Sequence, residues 1–282
     1  SDILLLNYYY IADESANNLQ PKNFIVLNIG KLMKYLNNEN IKFIHIGKCG
    51  GTTVGKFLHK HNFLNMGGKN HIHLSKPKYN RNTKYIIWVR NPLTRFVSAF
   101  NMVWSILNDS NTVGKGKTVE NGNIAPARIK SRYKEYPYYV ELINYFKTPN
   151  NLAESLTSSN LKIKKKALRL MNHNAEHIYK SIGWYLNDLL KKCGQNNILF
   201  VGRIEYINED IEQLKQILNI PEHNYPTFLR KNTSIKTDKY LSSLAIKNLI
   251  NFYKKDYDCL KQLAKMGFLN NTYIKECYSY SK

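Results

Sequence analysis

Acidic residues are scarce in this sequence. Only 20 of its 282 residues are Asp or Glu, against 42 Lys or Arg, so the formal net charge is +22. No acidic residue at all lies between Gly47 and Arg90. No cluster of carboxylates or histidines has the spacing of a metal site, so we predict no metal ion. The surplus of positive charge instead predicts an anionic partner, such as nucleic acid, an anionic membrane surface or an acidic glycan.

Cysteines and long apolar runs are also few. The four cysteines include no C-x-x-C pair, which argues against a zinc site or a disulfide framework. No apolar run reaches the length that crosses a membrane. A hydrophobic content of 43% excludes wholesale disorder, and the length suits one large domain with a modest extension. We predict an N-terminal extension over residues 1–40, packed on a main domain over residues 41–282.

The first informative stretch is a strand, a glycine-containing loop and a helix. Phe43–Ile46 is a short apolar run, typical of a strand buried on both faces. The glycines permit tight turns, and apolar positions from Val54 onward recur at helical spacing. A helix N-terminus offers free N–H groups and a positive dipole end to an anion. The predicted phosphate-binding positions are Lys48, Cys49, Gly50, Gly51, Thr52 and Thr53.

A second stretch of the same kind follows. Residues 85–89 are apolar, and Arg90-Asn91-Pro92 turns the chain into a predicted helix. Arg90 and Ser98 are placed to converge on a second anion. The alternative for the first stretch is an ordinary strand-to-helix turn that binds nothing, and the alternative for Arg90 is a structural ion pair. Two such units together favour a ligand with two separated phosphates, and the alternation of strands and helices predicts an α/β fold with a central parallel sheet flanked by helices.

These two stretches resemble the PAPS-dependent sulfotransferases of the membrane-associated carbohydrate group. Residues 44–53, IHIGKCGGTT, are similar to the 5′-phosphosulfate loop, I-P-K-T-G-G-T-[ST], and residues 89–100, VRNPLTRFVSAF, to the 3′-phosphate signature, R-D-P-x-x-R-x-x-S-x-[YF]. The resemblance covers about residues 41–265 and implies a P-loop-like fold, with PAPS as sulfuryl donor and PAP as product. Gly47, Cys49 and Asn91 replace the usual proline, threonine and aspartate, and none of these changes removes a charge that holds a phosphate. We expect Asn91 to change how its loop is braced.

Sulfuryl transfer needs a positive charge at the leaving phosphate, donors for the sulfuryl oxygens and a base for the acceptor hydroxyl. The resemblance implies Lys48 for the first role and the loop from Cys49 to Thr53 for the second. In this group the base is a histidine or a glutamate between the two signatures. His71 and His73 alternate on a predicted strand, so they face the same way, and they resemble the paired H-x-H of uronyl 2-O-sulfotransferases. An imidazole accepts a proton near neutral pH, and we predict that one of the two is the base, with His73 preferred.

Two further basic stretches are candidates for ligand contacts. LRKNTS, residues 229–234, resembles a family block that closes over the nucleotide, which makes Arg230, Lys231 and Thr233 candidate cofactor ligands. An exposed basic turn has the same composition. Residues 161–169 form the densest basic cluster outside the motifs, and we predict that Lys164, Lys165 and Lys166 contact the acceptor. Solvated lysines without a specific role are the alternative.

The sequence therefore predicts an O-sulfotransferase that uses PAPS and acts on a carbohydrate hydroxyl, in particular that of an anionic glycan. A protein tyrosine or a small molecule is the alternative acceptor. A nucleotide kinase is disfavoured because no lysine directly follows the glycine pair, unlike in G-x-x-x-x-G-K-[ST]. A nucleic-acid-binding protein is suggested by charge alone, without a recognition motif, so we predict no nucleic-acid partner. The oligomeric state stays open, and so does the compartment: the Golgi lumen for a eukaryotic chain with a trimmed anchor, the cytoplasm for a microbial or viral one.

Overall fold

The computed structural model describes residues 40–108, 137–173, 177–220 and 238–280. The predicted N-terminal extension lies outside the described residues, apart from Asn40. The candidate nucleotide contacts Arg230, Lys231 and Thr233 also lie outside them. The boundary at residue 40 therefore stays a prediction.

The described residues contain a four-stranded sheet in which every strand pair is parallel, as predicted. The strands are β1 (Ile41–Ile44), β2 (His71–Ile72), β3 (Lys84–Val89) and β4 (Ile198–Arg203), in the order β2-β1-β3-β4. In the register, Phe43 of β1 lies opposite His71 on β2 and Ile86 on β3. The first strand ends two residues earlier than expected, at Ile44.

Apolar side chains cover both faces of this sheet, which explains the continuous apolar runs of its strands. Phe43, Ile86 and Trp88 belong to one buried cluster, whereas Ile44 and Ile87 belong to the other. Helices flank the sheet, and their bounds are α1 (Gly51–Lys60), α2 (Pro92–Asn108), α3 (Pro137–Phe146), α4 (Pro149–Ser155), α5 (Leu161–Met171), α6 (Ile182–Leu190), α7 (Ile207–Ile217), α8 (Ser243–Phe252), α9 (Lys254–Lys265) and α10 (Asn271–Glu276). Short 3₁₀ turns occur at Gln195–Asn197 and Ile204–Tyr206.

Two helices predicted as continuous are each divided. The helix expected to run on from residue 161 through residue 189 is two helices, α5 and α6, because Asp256 and Ser181 create a new helix start. The Asp256 carboxylate accepts hydrogen bonds from the backbone N–H groups of Ile182 and Gly183 and from the Ser181 hydroxyl. The helix expected around residues 249–264 is interrupted at Tyr253, which separates α8 from α9.

The strand order places a topological switch point between β1 and β3. The chain leaves β1 toward β2 on one side and returns to β3 on the other, so the loops after β1 and β3 open a crevice at the carboxyl edge of the sheet. Ligands of open parallel sheets bind in such crevices. Both predicted anion-binding stretches therefore meet at one edge. Across the described part of the chain, no helix combines the length and apolar character needed to span a bilayer.

Candidate active site

The loop after β1 makes a tight turn directly before α1. The Cys49 N–H donates to the Ile46 carbonyl at 3.2 Å, and Lys48 inside this turn has φ +70°. Gly50, which precedes α1, has φ +80°. Left-handed residues in such turns direct successive N–H groups to one side, as in anion-binding nests. The loop thus has a backbone conformation suited to the phosphate binding that the sequence predicts for residues 48–53.

The N-terminus of α1 is open to an anion. Its N-cap residue, Gly50, has no side chain with which to cap the helix, and the first turn contains no acidic residue. Its first N–H groups have no partner within the helix, and the positive end of the helix dipole faces the loop. Thr52 and Thr53, both half-buried, lie in this first turn.

Arg90 joins the loop after β3 to the loop after β1. Its Nη1 donates to the Lys48 carbonyl at 3.1 Å, and its Nε donates to the Thr94 hydroxyl at 2.9 Å. Ser98 lies one turn beyond Thr94 on the same face of α2, and both residues are half-buried between buried neighbours. The structure therefore brings the two predicted anion sites into direct contact.

Arg95, the second arginine of the R-x-P-x-x-R pattern, is a buried brace beneath this site. Its Nη1 donates to the carbonyls of Gly47 at 3.3 Å, His177 at 2.8 Å and Lys180 at 3.4 Å. Its guanidinium lies 5.6 Å from the centre of the Tyr253 ring. One cation thus ties the phosphate loop and the segment around His177 to α2.

Asn91, which replaces the usual aspartate, braces the loop after β3 in its own way. Its Oδ1 accepts from the Leu93 N–H at 2.9 Å and so begins α2. Its Nδ2 donates to the carbonyls of Glu276 at 3.2 Å and Ser279 at 3.0 Å. A carboxylate could accept the first bond but could not donate the other two. The expected change in bracing is therefore a link to the C-terminal segment.

Four histidine rings lie together beside the phosphate loop. The ring centroids of His45 and His73 are 4.1 Å apart, those of His45 and His71 are 5.1 Å apart, and those of His73 and His177 are 5.9 Å apart. Nδ1 of His45 lies 2.9 Å from Nε2 of His71. The Gly67 N–H donates to Nδ1 of His71 at 3.1 Å. Both members of the predicted H-x-H pair thus lie in this group at the carboxyl edge, and Lys48 acts electrostatically on two of its rings, His45 and His177.

Burial perturbs several of these ionisable groups. Burial and the neighbouring Arg90 guanidinium lower the pKa of Lys48 to about 8. Burial and the adjacent His73 lower the pKa of His45 to about 2. Burial and the nearby Lys48 ammonium hold the pKa of His177 well below 6.5. Buried imidazoles beside a cationic loop are therefore neutral at physiological pH.

Cys49 contributes to the loop through its backbone alone. A thiol at a helix N-terminus beside a lysine ordinarily has a lowered pKa. The side chain instead lies fully buried in the hydrophobic core, and this burial raises its pKa to about 12. Only the backbone of Cys49 can face an anion. All four cysteines are buried free thiols.

The predicted acceptor lysines lie on α5, which packs against α3 and α4. Lys165 is exposed, and Lys164 is half-buried. Lys166 Nζ lies 4.2 Å from the centre of the Tyr145 ring and 4.0 Å from Glu141 Oε1. Successive residues of a helix point about 100° apart, so these three lysines do not all line one surface.

A family model described as "Sulfotransferase family" matches residues 26–261, which is most of the chain. The chain belongs to the sulfotransferase family. No curated protein and no solved structure matches it significantly. The matched range includes the whole sheet, both predicted anion-binding loops and all four clustered histidines.

Two residues of this sulfotransferase's candidate site were missed by sequence reasoning. His45 lies within the predicted first strand, where it was counted only as part of a buried run. His177 follows the phosphate loop by 130 positions, and no local pattern connects the two. The one available signal was Gly47, which stands where the family has proline. A Cβ on Gly47 would lie 2.0 Å from Nδ1 of His177, so the imidazole fills that space. Within the described residues, no group of histidines, cysteines or carboxylates is arranged to hold a metal ion.

Proposed function

We propose that this sulfotransferase transfers the sulfuryl group of PAPS to a hydroxyl of an anionic carbohydrate. The observation that carries the proposal is the hydrogen bond from Arg90 to the Lys48 carbonyl, which joins two anion-binding loops at the switch point of the sheet. A ligand with two separated anionic ends fits this arrangement. A nucleotide with its anionic groups at one end would use the loop after β1 alone.

The residues at the carboxyl edge fit PAPS, which supplies the sulfuryl group when bound. The uncapped N-terminus of α1, with the Thr52 and Thr53 hydroxyls, would hold the phosphosulfate end. Lys48 would place its ammonium at the leaving phosphate, where negative charge develops during transfer. Arg90 and Ser98 would hold the 3′-phosphate. These roles, like those of Arg230, Lys231 and Thr233, rest on the match to the family motifs.

His73 is the better candidate for the base. A neutral imidazole has one nitrogen with an available lone pair, and in His71 that nitrogen, Nδ1, already accepts the Gly67 N–H. Its other nitrogen, Nε2, faces Nδ1 of His45. His71 would have to break one of these bonds to accept a proton from a hydroxyl. His73 is half-buried and stacked on His45, with ring centroids 4.1 Å apart, and remains the preferred base.

The acceptor class follows from charge. A donor with several negative charges repels an acidic acceptor unless the protein compensates for it. The chain carries a net charge of +22, and α5 presents lysines at its surface, with Lys164, Lys165 and Lys166 as the proposed contacts. We therefore favour a glycan that carries carboxylate or sulfate groups.

A transfer assay with radiolabelled PAPS and a panel of acceptors tests this proposal. The panel contains heparan and chondroitin chains, their desulfated forms, neutral oligosaccharides, tyrosine peptides and small phenols. We expect label on the anionic glycans, less on neutral sugars, and none with Lys48→Ala. Label on tyrosine peptides or phenols alone would overturn the carbohydrate assignment, and no transfer to any acceptor would contradict the proposed activity.

A further inference from the structure

His45 is a buried polar side chain whose two ring nitrogens have different surroundings. The residue is 8% exposed, and its Nδ1 lies 2.9 Å from Nε2 of His71. Among the described residues, no hydrogen-bond partner meets its Nε2, and this atom is not one of the fully buried polar atoms that lack a partner, so this edge of the nearly buried ring is accessible. A nearly buried imidazole whose accessible nitrogen has no protein partner can form a hydrogen bond with a ligand in the crevice.

The hydrogen bonds determine which nitrogen of His45 carries the proton. The Gly67 N–H donates to Nδ1 of His71, so that Nδ1 is unprotonated. Neutral His71 must then carry its proton on Nε2, from which it donates to Nδ1 of His45. Since Nδ1 of His45 accepts this bond, neutral His45 carries its own proton on Nε2. The chain of bonds from Gly67 therefore ends in an N–H donor.

This donor lies against the first residue of α1. A Cβ on Gly51 would lie 2.3 Å from Nε2 of His45 and 1.8 Å from its Cδ2. With a Cα–Cβ bond of about 1.5 Å, Nε2 lies within about 3.8 Å of the Gly51 α carbon. Any side chain at position 51 would collide with the ring. The glycine is thus needed so that the imidazole edge can reach the helix N-terminus.

The N-terminus of α1 is where an anion is expected. The residue before this ten-residue helix, Gly50, has no side chain with which to cap it, and no acidic residue lies in its first turn. Thr53 and Val54 donate to the Gly50 carbonyl, so the N–H groups of Gly51 and Thr52 and Nε2–H of His45 are the neighbouring donors without an acceptor among the described residues. Donors that converge on one position are the arrangement that binds a tetrahedral oxyanion.

We propose that Nε2–H of His45 donates a hydrogen bond to the oxyanion bound at the N-terminus of α1, and that His71 is the positioning residue that keeps the proton on Nε2. If the proposed function holds, this oxyanion is the phosphosulfate of PAPS. Charging His45 would place a second proton on Nδ1 and break the bond from His71. His45 therefore acts as a neutral donor, unlike Lys48.

Imidazole ¹⁵N spectra of the wild-type protein test the tautomer without any substitution. We expect His45 to show a protonated Nε2 and an unprotonated Nδ1 at neutral pH. Inorganic sulfate should perturb the Nε2 resonance of His45. A proton on Nδ1, or an Nε2 resonance that is unmoved by saturating sulfate, overturns the proposal whether or not the protein binds a nucleotide.

Binding measurements on variants test the bond itself. PAP carries a 5′-phosphate, whereas 3′-AMP lacks it. A hydrogen-bond donor at the N-terminus of α1 should therefore contribute to the binding of PAP and not to that of 3′-AMP. His45→Phe keeps an aromatic ring above Gly51 but removes the donor, and we expect it to weaken PAP binding by about 10-fold or more and leave 3′-AMP binding unchanged. His45→Gln, whose amide can donate from a similar position, should recover part of the loss. His59→Phe, an exposed ring on α1, is the matched control and should change neither affinity.

The outcomes separate this proposal from the proposed function. If the wild type binds PAP and His45→Phe binds it equally well, the donor assignment is wrong and the function stands. If His45→Phe loses PAP and 3′-AMP equally, the ring has only a structural role, which also overturns the donor assignment. If the wild type does not bind PAP, the proposed function is wrong, and the sulfate titration still decides the role of His45.

Discussion

The lowered pKa of Lys48 makes nucleotide binding dependent on pH above neutrality. Burial and the nearby Arg90 lower this pKa from 10.5 to about 8. The charged form is thus disfavoured in the free protein by roughly 3 kcal/mol, since each pH unit corresponds to about 1.4 kcal/mol. The ammonium is present below pH 8 and is lost as the pH rises through 8. A bound anion would stabilise the charged form, so binding would take up a proton at high pH.

The size of the effect follows from the fraction of charged lysine. About nine-tenths of Lys48 is charged at pH 7 and about one-tenth at pH 9, so PAP affinity should fall about tenfold over this range. Phosphates have a second pKa near 6, and burial lowers the pKa values of His45, His71 and His177 below 6.5, so these groups do not titrate in this window. The pH dependence of folding has the opposite sign. The lysine keeps its proton up to about pH 10.5 in the unfolded chain but only up to about pH 8 in the folded protein, so Lys48 makes the free energy of unfolding larger as the pH rises from 8 toward 10.5.

Calorimetric titration with PAP from pH 7 to pH 9.5 measures this dependence. Lys48→Arg keeps the charge without titrating in the window, so its affinity should be nearly constant. Lys48→Met should bind weakly at every pH. Lys56→Arg, an exposed position on α1, is the matched control and should retain the fall of the wild type. A constant wild-type affinity, or an equal fall in Lys48→Arg, would refute this reasoning.

Three other predictions concern the base, the loop after β3 and the acceptor. His73→Ala should lower turnover by roughly 10²- to 10⁴-fold with PAP affinity unchanged, and wild-type turnover in this variant would place the base elsewhere. Asn91→Asp removes two donated hydrogen bonds to C-terminal carbonyls, so urea denaturation should show a free energy of unfolding lower by about 2 kcal/mol; an unchanged midpoint would contradict the bracing. Replacing Lys164, Lys165 and Lys166 by serine should raise the acceptor KM and flatten its salt dependence at constant kcat. An unchanged KM would leave these lysines a role in solubility alone.

The sequence predicted the parts of the fold that depend on local patterns. The apolar runs of β1 and β3, the glycines after β1 and the proline that begins α2 are all signals contained within a few residues. The strand order was not predicted in detail, yet a parallel sheet already places the carboxyl ends of its strands at one edge. This is why Lys48 and Arg90 could be assigned to one ligand before their contact was known.

The remaining features depend on contacts between distant segments. The direction of the Cys49 side chain, into the core instead of toward the anion, is set by the apolar residues packed beneath the loop. The start of α6 depends on Asp256, more than 70 positions away. The role proposed for His45 can be recognised only from its contacts with the rings of His71 and His73 and with Gly51. The spacing of apolar residues within a single helix or strand does not indicate any of these contacts between distant segments.

The most direct test of the central claim is a calorimetric titration of the wild-type protein with PAP and, separately, with ATP. Two anion sites joined through Arg90 and Lys48 should bind PAP at one site per chain and markedly more tightly than ATP. Arg90→Ala should reduce the affinity for PAP. No heat of binding with PAP, or equal affinity for ATP, would contradict the assignment of these two loops to a donor nucleotide with 3′- and 5′-phosphates.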